Sequence, residues 1–164
     1  MILSTEELLV NRLMELGLHI SCAESCTGGM VASRIVNVAN ASKVFDVSFV
    51  TYANEAKMKY LHVSPDTIEQ YGVVSEEVVA EMAAGVAKEA GSETGIGISG
   101  IAGPGGGTAT KPVGMVCFGF YVNGTITTKT MYFPPSGRNE VRAASAEYAL
   151  QTMLELLSCT SPSA

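Results

Sequence analysis

At 164 residues the chain has about the length of one domain, enough to bury roughly two-thirds of its unfolded surface around a single core. Hydrophobic residues make up 47% and charged residues 16%, a balance that excludes a disordered chain and points to a large buried fraction or a self-association surface. Ten Lys and Arg against 16 Asp and Glu leave a net charge of −6, which excludes nucleic-acid binding through a bulk basic surface but leaves room for a local anion pocket.

Ser4 with Glu7 three residues on is a capping-box pattern, and Leu8, Leu9, Leu13 and Leu16 recur at helical spacing until Gly17, so a helix is predicted over 5–16. Residues 18–23 are short and apolar and read as a strand. Gly28-Gly29 then opens an amphipathic helix to about Val38. Phe45, Val47 and Phe49 alternate with Asp46 and Ser48, which predicts a second strand over 44–52, leading into a short helix through Asn54 to Lys57. Ser64-Pro65 starts a helix that Gly72 closes, and Ser75 caps a longer one with Glu76 and Glu77 in its first turn and Gly91 at its end. A third strand is expected over 94–99, then a glycine-rich loop over 100–107, then a strand over 113–122. Asn123-Gly124 is a hairpin signal, so a fifth strand over 125–133 pairs antiparallel with the fourth. Pro134-Pro135 breaks the chain before a last helix over 139–157. The order predicts one domain over 1–164 of α/β class, a three-layer α/β/α sandwich whose mixed, mostly parallel five-stranded sheet ends in an antiparallel hairpin.

The apolar run 113–122 is about half the roughly 20 residues of a membrane span and is broken by Gly114 and Gly119. The N-terminus carries Glu6 and Glu7 where an export signal is basic. A cytoplasmic chain with no membrane partner is expected, its four cysteines (Cys22, Cys26, Cys117 and Cys159) reduced.

Three patterns suggest sites that their context rejects. Gly95-Ile96-Gly97-Ile98-Ser99-Gly100 spells a dinucleotide fingerprint, yet it lies within a strand instead of between a strand and a helix. His19, Cys22 and Cys26 spread along a strand with no fourth ligand, so no metal site is expected. Thr110-Lys111-Pro112 leads into a strand, unlike a phosphate-binding P-loop.

The informative segment is Ala23-Glu24-Ser25-Cys26-Thr27-Gly28-Gly29, a polar turn between a strand and a helix. Such a turn sets the Ser25 hydroxyl at the carboxyl end of the sheet, beside free N–H groups of a helix start around Thr27 and Gly28. Either Ser25 is a nucleophile facing its own oxyanion donors, or Ser25 or Thr27 is an N-cap. His19 and His62 are poorly placed as bases. Lys57, one helical turn after the second strand, and Tyr52, at that strand's end, reach the same edge if the first two strands are neighbours. Lys57 serves as a base only if desolvation or a nearby positive charge lowers its pKa; otherwise it is a solvated helix lysine. Gly100, Ile101, Ala102 and Gly103 begin a loop able to form an anion nest, with Lys111, Arg138 and Arg142 as candidate charge partners.

Taken together, the 23–29 segment, Phe49-Val50-Thr51-Tyr52-Ala53-Asn54-Glu55-Ala56-Lys57, Tyr71-Gly72-Val73-Val74-Ser75, Ser99-Gly100-Ile101-Ala102-Gly103-Pro104 and Lys111-Pro112-Val113-Gly114 resemble, in order, the CinA C-terminal domain family and its stand-alone nicotinamide-nucleotide amidohydrolases. The resemblance covers about 5–157. It implies hydrolysis of nicotinamide mononucleotide to nicotinate mononucleotide and ammonia with no cofactor, Ser25 as nucleophile, Lys57 as base and Tyr52 as a catalytic partner. It further implies substrate contacts from Thr27, Gly28, Gly100, Ile101, Ala102, Gly103, Lys111 and Arg142. Ser136-Gly137-Arg138 stands where many members have Gly-Asp-Arg. The other expectation is a non-catalytic nucleotide-binding domain of the same fold. The expected partners are a small nucleotide and a second copy in a dimer.

Overall fold

The structure is a computed structural model that describes residues 1–162. Helix α1 (Thr5–Leu16) is followed by β1 (Ile20–Glu24), α2 (Met30–Val36), a 3-10 turn at Ala41–Lys43, and β2 (Phe45–Val50). Then come α3 (Asn54–Leu61), α4 (Pro65–Tyr71), α5 (Glu76–Ala90), β3 (Thr94–Gly100), β4 (Met115–Val122), β5 (Thr125–Tyr132) and α6 (Arg138–Ser158). The caps that the sequence offers are used: Ser4 and Glu7 form the capping box of α1, and the Ser75 hydroxyl accepts from the Val78 N–H of α5.

The five strands form one sheet in the order β2-β1-β3-β4-β5. β1 pairs parallel with β2 and with β3, whereas β3–β4 and β4–β5 are antiparallel. The sheet is mixed as expected and ends in the antiparallel hairpin: β4 alone runs against the other four strands, because the loop between β3 and β4 brings the chain back alongside without a crossover helix. β2 lies at an edge, half-buried, which accounts for its alternation of apolar and polar residues.

The two faces of the sheet are packed differently. Ile96, Ile98, Phe118 and Phe120 point toward α1, α2 and α6 and fill the larger core with Leu9, Leu13, Val31, Ile35, Leu150 and Met153. On the other face the alternate positions of β3 and β4 include Gly95, Gly97 and Gly119, and α5 lies directly on them. A Cβ at Gly97 would stand 2.6 Å from the Val79 carbonyl oxygen and 2.8 Å from the Ala83 nitrogen, and one at Gly119 would meet the Val79 oxygen closer still. Two of the glycines that imitate a dinucleotide fingerprint, Gly95 and Gly97, thus join Gly119 in a seam for close helix-on-sheet packing.

β1 is flanked by β2 on one side and β3 on the other, and the connections leave by opposite faces: α2 on the first, α3 to α5 on the second. The carboxyl ends of the three parallel strands therefore open a crevice above β1, the topological switch point of the sheet. Gly119→Ala should lower stability by about 1–3 kcal/mol through overpacking against α5. Denaturant unfolding checks it: the midpoint falls and the slope stays unchanged.

Candidate active site

Strand pairing carries the chain straight into the crevice. The Ser25 N–H donates to the Ile98 carbonyl at 3.1 Å, and the Thr51 N–H donates to the Glu24 carbonyl at 2.9 Å, so the residues just past β1 and β2 are fixed by the ladder itself. α3 starts at Asn54 and places Lys57 one turn in, with Lys57 and Leu61 on its inner face. The lysine side chain turns back to the strand ends, and its residue is only 1% exposed.

The Lys57 amine has three neighbours. Nζ is 2.6 Å from the Thr51 carbonyl oxygen, 3.4 Å from the Tyr52 carbonyl oxygen and 3.2 Å from Ser25 Oγ. Two N–H bonds satisfy the carbonyls, and in the neutral amine this leaves the nitrogen lone pair for the Ser25 hydroxyl. Burial pushes the Lys57 pKa down from its ordinary 10.5 to about 8, since no carboxylate stands beside the ammonium to offset its lost hydration.

The Ser25 hydroxyl is not a helix cap. Gly29 is the N-cap of α2 and offers no side chain, and the first N–H groups of that helix are taken by the Glu24 carboxylate, from Val31 at 2.9 Å and Ala32 at 3.1 Å. Nor is the neighbouring thiol a competing nucleophile: burial pushes Cys26 up to about 12, so it stays protonated.

Ser25 and Lys57 lie in a cleft of about 420 Å³ whose walls come from 72–74, 99–108, Tyr52, Asn54, Lys111 and Arg138. The lining holds three basic residues, Lys57, Lys111 and Arg138, and no acidic one. A chain of net charge −6 thus keeps a cationic pocket. Among the described residues no group of three His, Cys, Asp or Glu is placed to hold a metal ion, and no helix is long and apolar enough to cross a membrane.

The remaining candidates divide. Gly100, Ile101, Ala102, Gly103 and Lys111 line the cleft. The Ile101 N–H is spent on the Met115 carbonyl, but those of Ala102 and Gly103 make no hydrogen bond to another described residue. The Lys111 ammonium is tied to the Tyr71 and Val74 carbonyls at 2.6 and 2.7 Å, clamping the α4–α5 loop to the glycine-rich loop. Thr27 and Gly28 are outside the cleft: Thr27 is fully buried, and the Gly28 N–H donates to the Ser25 carbonyl at 3.1 Å. The N–H beside Ser25 that makes no hydrogen bond to another described residue is that of Cys26, a cleft residue.

Arg142 is outside too; it reaches beneath the turn to the Cys26 and Thr27 carbonyls at 2.9 and 3.1 Å. Arg138, one helical turn earlier, is the arginine that enters the cleft, donating to the Gly103 carbonyl and to the Tyr52 hydroxyl, each at 2.8 Å. α6 begins at Arg138, within a residue of the start its sequence suggests, so Arg138 sits at the helix end beside the cleft and Arg142 one turn further along, under the Ser25 turn. Tyr52 contributes its carbonyl to Lys57, while its side chain is 62% exposed at the cleft mouth and its hydroxyl meets Arg138, not Ser25. Asn54, Val73, Ser99 and Thr108 also line the cleft; they come from loops and element ends that no local sequence signal brings together.

Comparison with known proteins now decides the family. The sequence pattern described as the CinA C-terminal domain matches residues 3–157. The chain belongs to the CinA C-terminal domain family. A CinA-like protein of Kosmotoga olearia is 53% identical over 147 residues, which are 90% of this chain and 35% of that protein. The nicotinamide-nucleotide amidohydrolase PncC of Enterobacter agglomerans is 50% identical over 139 residues, 84% of each chain. The crystal structure of competence damage-inducible protein A from Klebsiella pneumoniae superposes with a TM-score of 0.91 at 34% identity, covering 97% of this chain and all of that one. The chain thus spans about a third of the length of its larger CinA-like relatives and most of the length of PncC.

The buried lysine of this CinA domain carries a stability signature. Below pH 8 folding buries an ammonium; between pH 8 and 10.5 the unfolded chain binds more protons than the folded one, so wild-type stability rises with pH and levels off above 10.5. Lys57→Met should therefore be the more stable protein below pH 8, by on the order of 3 kcal/mol, with the advantage fading toward pH 10.5. Unfolding midpoints of both proteins across that range check it.

Proposed function

We propose that this chain is an amidohydrolase that converts nicotinamide mononucleotide to nicotinate mononucleotide and ammonia, with Ser25 as nucleophile and Lys57 as base. The observation that carries the reading is the Lys57 amine, buried, easily neutralised and 3.2 Å from Ser25 Oγ at the floor of a cationic cleft. A lysine so placed has little structural reason to be there; burying it costs stability, and a free hydroxyl beside it is what a Ser/Lys pair needs. PncC, similar along most of its length, bears the name of this activity.

The steps follow from the groups present. Neutral Lys57 takes the Ser25 proton as Oγ bonds to the carboxamide carbon, and the carbonyl oxygen gains the negative charge. The Cys26 N–H, on the residue after the nucleophile, donates to that oxyanion. As the C–N bond breaks, Lys57 returns the proton to the leaving nitrogen and ammonia departs. Water then attacks the acyl ester, Lys57 takes its proton and gives it to Ser25 Oγ, and the carboxylate is released. The pyridinium of this substrate draws electrons from the carbonyl, and as a nearby cation it favours the neutral lysine further. Its 5′-phosphate suits the Ala102 and Gly103 N–H groups and the Arg138 guanidinium.

The test is ammonia and nicotinate mononucleotide production by the purified chain. Ser25→Ala should lose several orders of magnitude in kcat, and the wild-type rate should rise with pH to a plateau above about 8, as Lys57 becomes neutral. Absence of product from the wild type, with the nucleotide still bound, would instead make the chain a nucleotide-binding domain. Arg138→Ala should raise KM for the mononucleotide roughly tenfold or more and leave that for the phosphate-free riboside nearly unchanged; paired KM measurements check it.

A further inference from the structure

Glu24 is the fully buried carboxylate among the described residues, and it stands immediately before Ser25. Its two oxygens are used separately: Oε1 accepts from the Val31 N–H at 2.9 Å, and Oε2 accepts from the Ala32 N–H at 3.1 Å and lies 3.5 Å from the Ser48 hydroxyl. Because Gly29 gives α2 no side-chain cap, a residue seven positions upstream of Val31 does that work across the whole 25–29 turn. The main chain of the same residue holds the other half of the site. The Glu24 carbonyl accepts from the Thr51 N–H at 2.9 Å, and the Thr51 carbonyl takes the Lys57 amine at 2.6 Å.

We propose that Glu24 is a positioning residue, whose carboxylate fixes the far end of the Ser25 turn while its carbonyl fixes the seat of Lys57, so that one residue sets the distance between nucleophile and base. The proposal rests on the Ser/Lys reading of the site and is independent of which substrate fills it. A carboxylate is required because two N–H donors converge on it. Glutamine would present an NH2 to one of them, and aspartate falls a methylene short.

The experiment is the rate at which a fluorophosphonate labels Ser25 in the full-length chain, where Oγ displaces fluoride and Lys57 takes the hydroxyl proton. Ser25→Ala is the blank. Leu157→Ala serves as a destabilised control, its cavity lying at the far end of α6 from the cleft. Glu24→Gln should label roughly 10- to 100-fold more slowly than wild type, with the pH midpoint of labelling held at about 8 because Lys57 stays buried. Leu157→Ala should label at the wild-type rate below its unfolding temperature. Should Glu24→Gln fail to fold, Glu24→Asp, which keeps the charge, should fold and label more slowly than wild type with the same midpoint.

Wild-type labelling by the glutamine or aspartate variant overturns the proposal. So does a midpoint that moves toward 10.5, since that reports a hydrated lysine and a loosened fold instead of a displaced serine. Equal slowing in Leu157→Ala overturns it as well. A wild type that labels at Ser25 but releases no ammonia removes the amidohydrolase reading alone, and one that does neither removes both.

Discussion

The structure turns on one amine held out of water without a counter-charge. Lys57 is buried against main-chain carbonyls, and those carbonyls are available because β2 ends at Val50 and leaves the oxygens of Thr51 and Tyr52 free of the ladder. Carbonyl dipoles favour a cation far less than a carboxylate does, so the proton is loosely held. Every neighbour that might have altered this is occupied elsewhere. The nearby carboxylate of Glu24 is spent on helix N–H groups, and the nearby thiol of Cys26 remains neutral. The chemistry of the cleft depends as much on these engagements as on the pair itself.

The fold places this amine by strand order. Ser25 follows β1, Lys57 follows β2 and the glycine-rich loop follows β3, and these strands are adjacent and parallel. Their carboxyl ends meet without any long-range side-chain contact being needed to assemble them. α5, on the same face as α3, contributes by sitting hard against the glycine seam, where the Val79 backbone leaves no space for a side chain. A helix so closely seated has one register on the sheet, and the loop before it, at 72–74, has one position on the cleft wall.

Much of this was legible in the residues. Helix boundaries at Ser4, Gly17, Ser75 and Gly91 follow from local capping chemistry, and α1 and α5 begin and end where those signals stand. The turn at Ser25 was legible as well, whereas its pairing with Lys57 could be read from the residues only on condition that the first two strands are neighbours, and otherwise came as what the family resemblance implies. What was not legible depends on through-space geometry. Arg138 and Arg142 share a helix and a charge, and only the packing of α6 under the Ser25 turn decides which one reaches the cleft. Thr27 and Gly28 carry the right residue types for an oxyanion hole, but the turn closes on itself through the Gly28 N–H and turns them away. Glu24 reads as one more polar residue in a motif until the empty cap position of Gly29 shows what it is needed for.

The cleft is built from two kinds of material. Its floor, Ser25 and Lys57, hangs from ladder hydrogen bonds and buried atoms, whereas its walls at 72–74, 101–108 and Arg138 are loop or helix-end residues held to one another by a few polar ties such as those of Lys111. Apart from Val74 and Ala102, which are buried in the hydrophobic clusters, these wall residues lie outside the buried core. A lineage carrying this domain can therefore vary what the walls grip while the Ser25–Lys57 floor keeps its geometry.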